Sequence, residues 1–344
     1  MSEQVPGFDV PVVEAWMGAN TSVVAPCSWV RLEGGHSNLT YELTDADGAS
    51  FVIRRPPKGE LLPKAHDMWR EFRIIEALHP AGVPVPEPIG YCDDRDVCDT
   101  HFYVMGKVGG EALYTAQQTA PRLGVEARVR VGDSFVDVLA HLHSIDPDDV
   151  GLGDLGRHDG YVARQLRTWY GSWTASAEHA DYDDERLHAL HDRLLANIPE
   201  QGPARVVHGD YGVHNVMVDD HGTVAAVLDW EIGTLGDPLA DFAYALNAWI
   251  EPDDSDDARR VSPTALPGFA SRADLVERYA DRTGADLSDL GYYRSFNSFK
   301  TACIIHGVYA RYKLGMKSTE GIDMDGLFQR IVRSIELAER HLAG

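Results

Sequence analysis

Between residues 206 and 230 the sequence VVHGDYGVHNVMVDDHGTVAAVLDW sets a knot of polar residues between apolar runs, and this framing constrains the fold more than any other stretch. Val206 and Val207 lead in, Val216 to Val218 lead out, and Val224 to Leu228 run straight into a further aspartate. A solvent loop is not framed this way. The pattern reads as short buried strands presenting His208, Asp210, Asn215 and Asp229 at their ends, where a chain places chemistry.

The rest of the chain bounds what that chemistry can be. With 344 residues, 44% hydrophobic and 25% charged, it reads as an ordinary globular protein of one large or two smaller domains. Lys and Arg number 31 against 54 Asp and Glu, and the net charge of -23 argues against nucleic-acid or acidic-membrane partners, which need a basic face. It would suit a cationic substrate, although such a charge more often serves solubility alone. Four cysteines in a chain of this length form no disulfide framework, so a reduced, cytoplasmic protein is expected. The spacing of Cys92, Cys98 and His101 is not that of a zinc site. MSEQVPGFDV has no basic segment followed by an apolar one, and no apolar run reaches about 18 residues, so neither export nor a membrane span is expected. No obligate protein partner is evident.

Residues 28 to 56 alternate with period two about an Asp47-Gly48 turn and predict a β-meander whose first turn is GGHSN. From Lys64 to Leu78 the apolar spacing becomes helical, with Trp69, Phe72, Ile75, Ala77 and Leu78 as its stripe, until Pro80 and Gly82 end it. HFYVM then reads as another strand. The glycine-rich GKVGGEAL, at 106–113, divides a small β-rich lobe, 1–105, from a mainly helical lobe, 106–344. Helices are expected in VRVGDSFVDVLAHLHSID, YVARQLRTWYGSW, DLVERYADRTG and DGLFQRIVRSIELAERHL, and the acidic EPDDSDD at 251–257 reads as a solvated loop.

GLGDLG at 151–156 fits the dinucleotide-binding G-x-G-x-x-G, but DPDD precedes it where a strand should, and its carboxylates would repel phosphates. His141 and His143 do not share a helical face, so His143 is read as ending a packed helix. The opening stretch is different. His208-x-Asp210 followed by Asn215 resembles the H-R-D-x-x-x-x-N catalytic loop of protein kinases, and Asp229 lies fourteen residues beyond Asn215, where the D-F-G aspartate of that family falls. Phosphoryl transfer needs a carboxylate near the acceptor hydroxyl and oxygen ligands that hold Mg²⁺ against the phosphates. Upstream, FVIR at 51–54 takes the place of the kinase V-A-I-K, with Val52 and Arg54 on one strand face, and Glu71 sits in the middle of the following helix.

HGDYGVHNVMV, LDWE, GDPLADFAY, SNLTYEL, FVIRRPP, LLPKAHDMWREF and FYVM together resemble the aminoglycoside phosphotransferase family, in the branch linked to acyl-CoA dehydrogenases, over residues 28 to 340. The resemblance implies an α+β, protein-kinase-like fold of two lobes and a phosphotransferase acting on an alcohol group of a small molecule. It implies ATP, with GTP as the alternative nucleotide, and Mg²⁺. Asp210 would be the catalytic base, Asn215 and Asp229 the metal ligands, and Ser37, Asn38, Arg54, Glu71 and Met105 the nucleotide site. His208 and Asp241 would hold the loop in shape. GDPLAD follows Asp229 too closely to leave room for a peptide-docking segment, which favours a small acceptor over a protein.

One departure is Arg54 where Lys is usual, a planar fork in place of a point charge, so a nucleotide-binding pseudokinase without turnover stays open beside the enzyme. For the acceptor, a cationic aminoglycoside competes with a hydroxyacyl-CoA. YVARQLRTWYGSW and YYRSFNSFKTACIIHGVYARYKLG, expected to wall the cleft, contain no Asp or Glu and carry Arg164, Trp169 and Lys300 as candidate substrate contacts. That composition favours an anionic, partly apolar acceptor.

Overall fold

The computed structural model describes residues 5–32, 38–57, 67–254, 261–316, 319 and 321–343. The GGHSN turn except Asn38, and residues 255–257 of the acidic run, lie outside the described residues. The alternating N-terminal third forms one antiparallel sheet of β1 (Ser28–Arg31), β2 (Leu39–Thr44), β3 (Ser50–Arg55), β4 (Pro88–Cys92) and β5 (Phe102–Gly106), in the order β1-β2-β3-β5-β4. Strand parity sorts β3. Phe51 and Ile53 pack against α1 (Val10–Asn20) through Val13 and Met17, whereas Val52 and Arg54 face the interlobe side. Arg55, on the far face with Phe51 and Ile53, pairs with Asp99.

Helix α2 (Met68–Leu78) starts at Asp67, whose side chain accepts from Arg70 N. Its buried stripe is Met68, Phe72, Ile75 and Leu78, with Glu71 buried among them. Trp69 departs from expectation. It stands 46% exposed because the true stripe begins one residue earlier, and its ring lies against Tyr91 at 4.9 Å instead of entering the core. Arg70 anchors the helix across the lobes, donating to Gly233 O at 2.7 Å and Leu155 O at 2.9 Å.

The C-terminal lobe contains α3 (Ala116–Arg122), α4 (Val125–Ser144), α5 (Tyr161–Ala180), α6 (Glu185–Ala196), α7 (Pro238–Ala248), α8 (Arg272–Thr283), α9 (Leu290–Lys313) and α10 (Met324–Ala343). Between α6 and α7 run β6 (Arg205–Val207), β7 (Val216–Val218), β8 (Val224–Val227) and β9 (Thr234–Gly236), which pair β6 with β9 and β7 with β8. This is a kinase-like architecture, with a five-stranded lobe above a helical one. One apolar cluster joins Phe72 and Ile75 of α2 to Val131, Phe135 and Leu139 of α4 and to Val206, Val216 and Val227, so the short strands are fixed from both lobes. A second, with Trp173, Phe296, Phe299, Ile331 and Ile335, fastens α5, α9 and α10. Among the described residues no helix is long and apolar enough to cross a membrane.

Candidate active site

The loop from His208 to Asn215 is held by its backbone. Gly209 takes φ +82°, and a Cβ there would come within 3.1 Å of Ile232 Cδ1, so the turn needs glycine on both counts. Asp241, in the first turn of α7, accepts from His208 N and Gly209 N at 2.7 Å each. His143 adds a contact at 3.3 Å to the same carboxylate and meets Tyr279 OH at 2.8 Å with its other nitrogen. Burial pushes the Asp241 carboxyl up, but these bonds outweigh it and hold the pKa below its usual value. His208 Nε2 donates to Leu228 O at 2.7 Å while its Nδ1 accepts from Asp210 N at 3.3 Å. One imidazole thereby ties the loop to the end of β8, beside Asp229.

Asp210 receives three groups. Asn215 Nδ2 donates to its Oδ2 at 3.0 Å and to its carbonyl at 2.9 Å, Tyr244 OH donates to Oδ1, and His214 Nε2 lies 3.5 Å from Oδ1. Burial raises its pKa, but the His214 and Tyr244 contacts win and lower it to about 2. The carboxylate is ionised at any ordinary pH.

On the other side of the loop, Asp229 is held at φ +63°, which turns its side chain out of the β8 path toward Arg54. Arg54 Nη2 bonds Asp229 Oδ1 at 2.8 Å, and its Nε stands 3.4 Å from Glu71 Oε2. Tyr103 OH donates to that same Glu71 oxygen at 3.0 Å, while Glu71 Oε1 is buried without a hydrogen bond. Burial raises the Glu71 carboxyl to about 7, against the opposing pull of Arg54 and the Tyr103 hydroxyl. The acidic pair and Tyr103 together raise Arg54 despite its own burial, so the guanidinium stays charged. Val52, Arg54, Glu71, Met105 and Asp229 line a cleft of about 310 Å³ beneath the sheet.

If Arg54 and Glu71 act as one unit on phosphates entering this cleft, Arg54→Ala and Glu71→Ala each raise the KM for nucleotide about tenfold, and the double variant adds little more. Steady-state kinetics on the four proteins of the cycle checks this. Additive losses would mean that the two side chains act independently.

Asn215 lies opposite Leu228 at the hairpin end, where Leu228 N donates to Asn215 O at 2.8 Å, and Asp229 follows Leu228 directly. The Asn215 amide uses its NH₂ on Asp210, which leaves its oxygen for a cation, and Asp229 supplies a carboxylate. Two hard oxygen donors are of the kind Mg²⁺ takes, with waters and phosphate oxygens as its other ligands.

The remaining expected residues are spread more widely. Asn38 is buried at the head of β2, and Ser37 lies outside the described residues. Lys300 is 5% exposed and donates to Gly209 O at 2.9 Å, with its ammonium 4.8 Å from the Tyr244 ring centre, so it braces the catalytic loop from behind. Arg164 donates to the carbonyls of Asp159 and Arg157, and Trp169 Nε1 bonds Gln165 at 2.8 Å. Neither Arg164 nor Trp169 lines the cavity beside His214. Tyr244, His214 and Tyr103 escaped the sequence reading. For Tyr244 the signal was available, since it stands three residues after Asp241 and shares its helical face.

The model of the phosphotransferase enzyme family matches residues 28–286. The chain is a member of the phosphotransferase enzyme family. Among relatives of this phosphotransferase, human acyl-CoA dehydrogenase family member 11 is 33% identical over 337 residues, covering 95% of this chain and 42% of that protein. The phosphotransferase spans less than half the length of the curated relatives of this kind that it matches, about 37% of the chicken protein. A solved Ralstonia eutropha protein, provisionally named an aminoglycoside phosphotransferase, superposes with a TM-score of 0.81 at 28% identity, covering 97% of this chain and 98% of that one. Spectinomycin phosphotransferase, solved with ADP and spectinomycin, shares the fold at a TM-score of 0.61 and 13% identity, over 98% and 99% of the two chains. Family membership and the likeness to the Ralstonia eutropha protein place the chain among phosphotransferases of the kinase-like fold.

Proposed function

We propose that the protein transfers the γ-phosphoryl group of ATP, with Mg²⁺, to a hydroxyl of a hydroxyacyl thioester of coenzyme A. The observation that carries the reading is the placement of Asp210, which touches His214 on the wall of one cavity and Asn215 next to the other. Arg54, Glu71, Met105 and Asn38, with Ser37, serve the nucleotide, and Asn215 and Asp229 serve the metal. A Mg²⁺ held by Asn215 and Asp229 would neutralise charge on the phosphates. Asp210 accepts a hydrogen bond from the acceptor hydroxyl and aims its oxygen. With a pKa near 2 it is a weak base, so it orients the nucleophile and takes the proton only late, as fits a loose phosphoryl transition state. His208 and Asp241 hold the loop, and the two lobes, 1–105 and 106–344, close on the nucleotide.

The acceptor is argued from two sides. Relatives 36% and 33% identical to this chain carry this kind of chain in proteins named as acyl-CoA dehydrogenase family members. The cavity next to His214 is rich in arginine, which repels an aminoglycoside polycation and attracts an anion. An ADP-release assay with 3- and 4-hydroxyacyl-CoAs beside kanamycin-type compounds decides between them. Turnover with at least one hydroxyacyl-CoA and none with the antibiotics is expected, and the reverse result would overturn the choice of acceptor.

A further inference from the structure

The cavity beside the catalytic loop has a volume of about 690 Å³ and is walled by parts of α7, α9 and α10. His214, Asn247 and Thr301 line it, together with Arg272, Arg294, Arg330, Arg333 and Arg340. Three of these come from α10, where the spacing 330, 333 and 340 puts them on one helical face, while Ile331, Ile335 and Ala338 bury the opposite face in the core. In a chain of net charge -23, five guanidinium groups around one cavity run against the charge of the whole.

Their pairing is incomplete. Arg272 bonds Glu251 at 2.8 Å and also Asp254, so it is neutralised. Arg294 donates from Nε to the neutral Asn247 Oδ1 at 3.0 Å. Among the described residues no carboxylate forms an ion pair with Arg294, Arg333 or Arg340, and Asp254 is the only acid on the cavity wall. The groups also disfavour one another's charge. Burial and then Arg272 lower Arg294 to about 10 against the opposing pull of Asp254 and Glu251, and burial, Arg294, Arg272 and Arg340 outweigh Asp254 to hold His341, on the same wall, near 4. A bound anion of more than one charge would relieve this repulsion. Guanidinium forks match phosphate oxygens two at a time, and several forks around one space exceed what a single carboxylate can satisfy. Leu113, Val213, Ile250 and Ile305, also on the wall, give the cavity an apolar lining beside the charged one.

We propose that the arginine wall formed by Arg294, Arg333 and Arg340 is the subsite for the phosphate groups of the acceptor, with its acyl part along the apolar lining toward Asp210. This rests on the reading of the acceptor as a coenzyme A thioester and assigns the residues that select it. The subsite distinguishes the acceptor by its phosphates and leaves the nucleotide cleft untouched.

The test compares the full chain with Arg333→Ala and the double variant Arg333→Ala/Arg340→Ala, both on the face of α10 away from its core. Two acceptors are used, a hydroxyacyl-CoA and the same hydroxyacyl group on phosphate-free pantetheine. The KM for the coenzyme A thioester is expected to rise about tenfold in the single variant and further in the double, with the KM for the pantetheine thioester and for ATP unchanged. An unchanged KM for the coenzyme A thioester, or an equal rise for both thioesters, would overturn the proposal. Calorimetric binding of free coenzyme A to the same proteins separates this from the acceptor assignment. If no hydroxyacyl-CoA is turned over yet coenzyme A binds wild type and is weakened about tenfold in the variants, the phosphate subsite stands and the acceptor assignment falls. No binding to wild type, or equal binding to all three proteins, removes the subsite.

Discussion

Asp210→Ala lowers turnover about 10³-fold while nucleotide affinity stays within about twofold of wild type. The carboxylate touches Asn215, His214 and Tyr244, and Asp210 is not among the described residues that line the cleft with Arg54 and Glu71, so its loss is expected to remove the group proposed to orient the acceptor and to spare the nucleotide cleft. Turnover by coupled ADP release and affinity by calorimetry check the two halves separately. Turnover within tenfold of wild type would contradict the assigned role. The pH profile carries an independent sign. A carboxyl lowered to about 2 stays charged as pH falls from 7 toward 4, so no acid limb of kcat in that range belongs to Asp210. Its contribution to stability is likewise present above the ordinary carboxylate pKa and is lost only as pH falls toward 2.

Asp229→Ala removes Mg²⁺-dependent nucleotide binding, with a loss of about 10² or more in affinity measured at saturating Mg²⁺. The substitution takes away the only carboxylate of the proposed metal pair and also releases Arg54 from its 2.8 Å partner. Arg54 then keeps Glu71, so the weak binding measured with Mg²⁺ chelated should be preserved or slightly improved. An affinity that responds to Mg²⁺ as strongly as wild type would mean that the ion sits elsewhere.

Much of this site was legible in the sequence because kinase-type chemistry is concentrated in short runs. The interval from His208 to Asp229 holds one hairpin, β7–β8, enclosed between the paired strands β6 and β9, and the order of Val52, Arg54 and Glu71 follows from strand parity and one helix. Side chains that reach the site over long sequence distances were not legible. His143 reaches Asp241 across 98 residues and Lys300 reaches Gly209 across 91, and nothing in local spacing announces either meeting. The misreading of Trp69 has a similar origin, since helical periodicity leaves the start of a stripe uncertain by one residue when Met68 and Trp69 are both apolar. The acceptor side shows the same limit. Of the two helices expected to wall it, YVARQLRTWYGSW contributes no residue to the cavity and α9 contributes Arg294, Thr301 and Ile305, while Arg330, Arg333 and Arg340 come from α10, whose sequence reads as an amphipathic helix with a solvated face. Only packing against α9 reveals that the face encloses a cavity.

Following the label from [γ-³²P]ATP tests most directly whether this family member performs phosphoryl transfer with Arg54 in the place of lysine. Incubated with Mg²⁺ and a hydroxyacyl-CoA, the wild-type chain should move the label onto the acyl thioester with one ADP formed per label transferred. Chelation of Mg²⁺ or Asp210→Ala should stop the transfer. Tight binding of ATP with the label retained in the nucleotide, for every hydroxylated acceptor offered, would contradict the account and leave a nucleotide-binding protein without turnover.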